Sequence, residues 1–101
     1  MMKYNKLVRD GIPEYIQRKG GMPIFYVADE KEYWERLKEK LGEEVSEFAK
    51  SEKMEEIADV FEVLEAVCDY KKFDMADVRS VKNEKAAERG KFKNKIILDE
   101  S

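Results

Sequence analysis

From residue 29 to about residue 70, apolar positions recur every three to four residues, the spacing of helix rather than strand. At roughly 100° per residue, Trp34, Leu37, Leu41, Val45 and Phe48 share one face, with Tyr33 at its border. Asp29 is placed to cap this helix, which is predicted to run to about Lys50. Ser51 is placed to cap a second, with Glu55 near its first turn, running to about Tyr70. This second helix is apolar over more than half its circumference. Asp74 is predicted to cap a third helix through about Arg89. Upstream, Asp10 is placed to cap a short helix through Arg18, with Pro13 tolerated in its first turn and Gly20-Gly21 ending it. "IFYV" (24–27) is a short β-prone run that could pair with a second apolar run, Ile96 to Leu98. Long helices dominate. The predicted fold class is all-α (mainly α), a helical bundle with short extended N- and C-terminal segments.

Acidic residues interrupt this pattern where a core is expected. On the first long helix Glu44 falls inside the apolar arc, between Tyr33 and Leu37. Glu47 sits at its edge and Glu43 one step further out. On the second, Glu56 falls between Val60, Val63 and Val67, and Asp59 between Val63 and Ala66. Glu55, Glu62, Glu65 and Asp69 gather instead on what reads as a solvated side. Residues three apart are neighbours on a helix surface, so each helix sets a pair of acids on a face that otherwise packs. A buried carboxylate costs several kcal/mol of effective desolvation unless it is compensated. Raised pKa values, Lys or Arg partners, or a divalent cation would relieve the repulsion. Lys and Arg are scarce on these two faces, so a cation held between opposed helices is the economical expectation. The alternative is a solvated face, since Asp and Glu supply 23 of the 101 residues; taken alone, Glu43 reads that way.

Composition narrows the chemistry. A length of 101 residues suggests one domain, 1–101. A chain this short buries only part of its surface, and with such wide apolar faces a symmetric homodimer or homotetramer is expected. There are no histidines, which removes His-based triads and metal sites. Cys68 is the only cysteine, so no intrachain disulfide can form. Any metal site must be built from carboxylates and would favour Mg²⁺, with Mn²⁺ as an alternative. A net charge of −3 offers no broad basic field for a nucleic acid polymer. No apolar run is long enough to span a membrane, and a reduced cytoplasmic setting is the default expectation.

Basic residues stand at both ends. Lys6 and Arg9 precede the first short helix, and Lys85 and Arg89 share a face of the last one, followed by Gly90. Such groups suit phosphate oxygens, Arg as a fork and Lys as a point charge. They are equally what a solubilising surface or a helix C-terminus favours.

Taken together, "YNKLVRDGIPEYI", then "KLGEEVSEF" with "EEIADVFEVL", then "KAAERGKF" with "KIIL" closely resemble, in that order, the small MazG-like proteins of the all-α nucleoside triphosphate pyrophosphatase superfamily. The middle pair resembles that superfamily's E-E-x-x-E … E-x-x-D magnesium motif. The resemblance implies a helical bundle completed by oligomerisation. It implies hydrolysis of a nucleoside triphosphate to the monophosphate and pyrophosphate, as house-cleaning of non-canonical nucleotides. Glu44, Glu47, Glu56 and Asp59 would then hold Mg²⁺, and Lys6, Arg9, Lys85 and Arg89 would handle phosphates. Glu43, Glu44 and Glu47 would be the catalytic carboxylates, with Glu43 beside the ligands as a base for the attacking water. The chain departs from the pattern at Lys91, where a second glycine is usual, and at Gly11, where a lysine is common. Other readings are a catalytically weak nucleotide-binding or regulatory helical dimer, a purely structural dimer, and a phosphoribosyl-ATP or dUTP pyrophosphatase.

Overall fold

A computed structural model describes residues 4–101; the first three residues of the expected domain lie outside it. The fold is all-α. Among the described residues four helices follow in order, α1 (Ile12–Arg18), α2 (Glu30–Ser51), α3 (Met54–Lys71) and α4 (Met75–Arg89). The two predicted aspartate caps form. Asp29 accepts from the Glu32 N–H at 2.8 Å and Asp74 from the Ala76 N–H at 2.7 Å. Each satisfies a donor that the first turn would otherwise leave unpaired.

Three local expectations are corrected. Asp10 does not cap α1: Gly11 holds the cap position without a side-chain bond, and the Ile12 N–H donates to the Arg9 carbonyl at 3.0 Å. The chain turns into α1 through backbone alone, with proline in the first turn. Ser51 does not cap the next helix. It is the last residue of α2, and the hairpin turns at Glu52, which is left-handed at φ 57°. With so short a linker, the Ser51 hydroxyl accepts from the Lys53 N–H at 3.3 Å, short of α3's first turn. Finally, the runs at 24–27 and 96–98 do not pair; among the described residues there is no strand. Both runs are exposed. Two isolated short strands would have no sheet face to bury, and such a pair is marginal on its own.

Gly20-Gly21 does end α1. Gly20 takes φ 91°, and the Gly21 N–H returns to the Ile16 carbonyl at 2.9 Å. A Cβ on Gly21 would meet the Ile16 side chain at 2.6 Å, so this close return requires glycine.

The core lies between α2 and α3, an antiparallel hairpin. Leu37, Val63 and Cys68 are buried there, together with one charged residue, Glu44. Leu37 and Glu44 stand two turns apart on the same seam. Val45, one residue further round, misses it and is half exposed, contrary to its expected place on the packed face. Phe61, Leu64 and Met54 on α3 are exposed as well, and α4 is exposed along nearly its whole length. The radius of gyration is 17.8 Å, against about 13 Å for a compact chain of 100 residues. Much of the apolar surface of the single chain is therefore uncovered.

Candidate metal centre

The seam that buries Leu37 carries Glu44 into the interface two turns later. The Glu52–Lys53 turn then brings the start of α3 back alongside, so Glu56 and Asp59, three apart, face Glu44. One carboxylate oxygen from each lies within 4.8 Å of the others. Glu44 is 7% exposed, while Glu56 and Asp59 are half-buried. One Glu44 oxygen meets the Lys40 ammonium at 3.2 Å. The other, Oε2, is buried without a hydrogen-bond partner. An orphaned carboxylate oxygen in a protein interior is costly, and a cation beside it would relieve that cost.

The donor set fits a hard divalent ion. All three groups offer oxygen, and on an octahedral Mg²⁺ adjacent donors would stand about 3.0 Å apart and opposite ones about 4.2 Å. The three oxygens, within 4.8 Å of one another, would have to draw together to share one ion.

Glu47 is exposed, one turn beyond Glu44, and is not among these three. It still belongs to the same field. The Glu44 charge is the main influence pushing its carboxyl above the usual range, followed by desolvation, with Glu56 and Glu43 adding to it. Glu43 faces the opposite influence. Lys6 donates to it at 2.9 Å and Lys40 at 3.5 Å, and the Lys6 bond holds its carboxyl below the usual range. Its proton affinity is thus lowered, and its Oε1 is engaged by both lysines.

The expectation that cations are scarce near the acids is corrected. Lys40, on α2 itself, already pairs with Glu43 and Glu44, and Lys6 and Arg9 arrive from the N-terminal segment. Arg9 donates to Asp59 at 2.9 Å and lies 3.7 Å from Glu62. Lys6 and Arg9 are thus brought to the acidic groups. Lys85 and Arg89 are not: both sit on exposed α4 and make no ion pair with the cluster. Arg36 went unnoticed in the sequence. It donates to the Asn5 carbonyl at 3.1 Å, to the Asn5 side chain at 3.2 Å and to Glu32 and Glu39, each at 3.3 Å. Its only local signal was the acids three and four residues away, which looked like ordinary surface pairing.

No family model matches the chain, and no solved structure gives a significant match. A stretch of 42 residues is 48% identical to an uncharacterized protein of Mycolicibacterium smegmatis, covering 42% of this chain and 43% of that protein. The chain thus matches less than half the length of this relative.

Proposed function

We propose that the chain is a Mg²⁺-dependent nucleoside triphosphate pyrophosphohydrolase of the small MazG-like kind, releasing nucleoside monophosphate and pyrophosphate from non-canonical nucleotides. The observation that carries this reading is the convergence of Glu44, Glu56 and Asp59, with a buried Glu44 oxygen left without a partner. It adds to the resemblance of the three sequence blocks. Glu44, Glu56 and Asp59 would hold the ion, and Glu47 stands at the mouth as a fourth oxygen donor. When bound, Mg²⁺ neutralises phosphate oxygens and lowers the pKa of a coordinated water. Lys6 and Arg9, already beside the acids, are within side-chain reach of a phosphate chain seated there and would offset the charge that develops on it. Glu43 would orient the attacking water, with Lys6 and Lys40 leaving its Oε1 as they turn to a phosphate. Lys85 and Arg89 would join through movement of α4 or from a second copy. The bare apolar surfaces of α3 and α4 favour a homodimer or homotetramer.

The test is pyrophosphate release by the pure protein across a panel of triphosphates. Turnover is expected with Mg²⁺ or Mn²⁺, lost with EDTA and restored by either ion. Activity that survives chelation would sink the carboxylate site as the seat of the chemistry.

A further inference from the structure

The segment before α1 crosses the groove between the two long helices at the level of the acids. Lys6 is bonded to Glu43 on α2, and Arg9 to Asp59 on α3 with Glu62 close by. Between them Leu7 and Val8 are half-buried. Upstream, Asn5 takes a left-handed φ of 43°, and both its carbonyl and its side chain are bound by Arg36. The segment therefore behaves as a strap with one fixed end. Arg36 anchors it on α2, apolar contacts hold its middle, and two cations fasten it over the carboxylates.

Of these cations, Arg9 stands on one of the three groups that converge as candidate ligands. Arg9 donates to Asp59 Oδ1, so a guanidinium and a divalent ion would compete for the charge of the Asp59 carboxylate. The Arg9–Asp59 pair is also well exposed, with side chains 57% and 40% accessible, so it is among the contacts most easily exchanged. By contrast, Arg36 is 24% accessible and binds four acceptors on three residues, Asn5, Glu32 and Glu39.

We propose that Arg9 is a built-in competitor for the metal site. Divalent ion binding at Glu44, Glu56 and Asp59 displaces the guanidinium from Asp59 and loosens the strap between Arg9 and its Arg36 anchor. The inference rests on the metal reading above and adds regulation of that site. Its consequence is linkage. A polyphosphate that draws Arg9 away removes the competitor, so metal and polyphosphate bind cooperatively, each favouring the other by the same factor. The chain alone would then hold a divalent ion only loosely.

The experiment uses Mn²⁺ alone as probe. Its affinity is measured by calorimetry on the full chain, wild type and Arg9→Gln, beside amide hydrogen exchange of residues 5–9 in the wild type. Removing the competitor should tighten Mn²⁺ by about two- to five-fold, the range an exposed ion pair carries. Exchange at residues 7–9 should speed up when Mn²⁺ binds. If the wild type binds Mn²⁺ but Arg9→Gln binds it equally or more weakly, Arg9 orients Asp59 rather than competing for it, and the proposal fails. Unchanged or stronger protection of the strap on Mn²⁺ binding overturns it as well, and needs no variant. If neither protein binds Mn²⁺, the metal reading itself falls and the proposal with it, a result distinct from the other two.

Discussion

The two ends of the α2/α3 hairpin are made by the same pair of helices, yet they are completed differently. At the open end, Trp34 stacks on Tyr70 with ring centres 4.8 Å apart and an interplanar angle of 2°. Tyr33 meets Tyr70 edge-on at 5.9 Å, and Lys38 and Lys71 lie over the indole at 5.3 and 5.5 Å. Each aromatic group there finds its partner within the chain. At the loop end, Glu44, Glu56 and Asp59 converge, and one Glu44 oxygen finds none. The difference teaches where to look for stability and where for function. Groups already satisfied internally hold the hairpin, while a group left short of a partner marks the place to test for a ligand.

The sharpest way to break this comparison is to remove ligands from the loop end alone. Glu56→Gln or Asp59→Asn should lower metal-dependent pyrophosphate release by at least about a hundred-fold, roughly 2.7 kcal/mol of barrier. Both should also abolish the rise in melting temperature expected when Mg²⁺ is added to the wild type. Glu65→Gln, on the exposed side of α3, is the control and should change stability by no more than about 0.5 kcal/mol. Glu62 serves less well, because Arg9 approaches it at 3.7 Å. Full turnover in Glu56→Gln would mean that the chemistry lies elsewhere.

The converse experiment damages the aromatic end. Trp34→Ala should destabilise the protein by about 2–3 kcal/mol in urea unfolding, somewhat less than for a fully buried tryptophan because the indole is only half-buried. Its Mg²⁺ response should persist in the folded fraction. Loss of that response at full occupancy of the fold would show that the two ends are not independent.

Smaller effects test the orphan itself. Glu44→Gln should leave the stability of the metal-free protein unchanged or raise it by up to about 1 kcal/mol, since it relieves repulsion from Glu56 and Asp59 and removes the unpartnered oxygen's charge, at the cost of the Lys40 ion pair. In the same variant, Mg²⁺ should no longer stabilise. A clear fall in metal-free stability would mean that the Lys40 contact already compensates Glu44.

The smallest effect is one of pH and lies at Glu47. Its carboxyl is pushed above its ordinary value of 4.5, chiefly by the Glu44 charge. A carboxyl raised in the folded state favours folding below its unfolded value, and that advantage is lost as pH rises through the folded value. Ionised Glu47 therefore opposes folding at neutral pH. Glu47→Gln should melt slightly higher than wild type at pH 7 without metal, with the gap closing as pH falls through 4.5. A gap that widens on acidification would reverse the sign and remove Glu47 from the acidic field.

The helices themselves were legible in the sequence, because their signals are local. Asp29 and Asp74 cap as their positions foretell, and the apolar period places Leu37, Val63 and the intruding Glu44 on packed faces. The acids at 44, 56 and 59 could be named from helix geometry alone, since period and spacing are properties of one helix at a time. What the sequence could not determine was which faces meet and what arrives from a distance. Val45 looked as buried as Phe48 until the seam through Leu37 and Glu44 left it outside. The two β-prone runs carried strand propensity, but propensity supplies no partner, and both remain unpaired. Lys6 reaches Glu43 across 37 residues and Arg9 reaches Asp59 across 50. No periodicity records contacts of that range, because they depend on the path of a short irregular strap. Lys40 beside Glu44 is a local pair on one helix, but tertiary structure alone decided that Lys6 and Arg9 also reach the acidic groove, because that depends on the path of the strap.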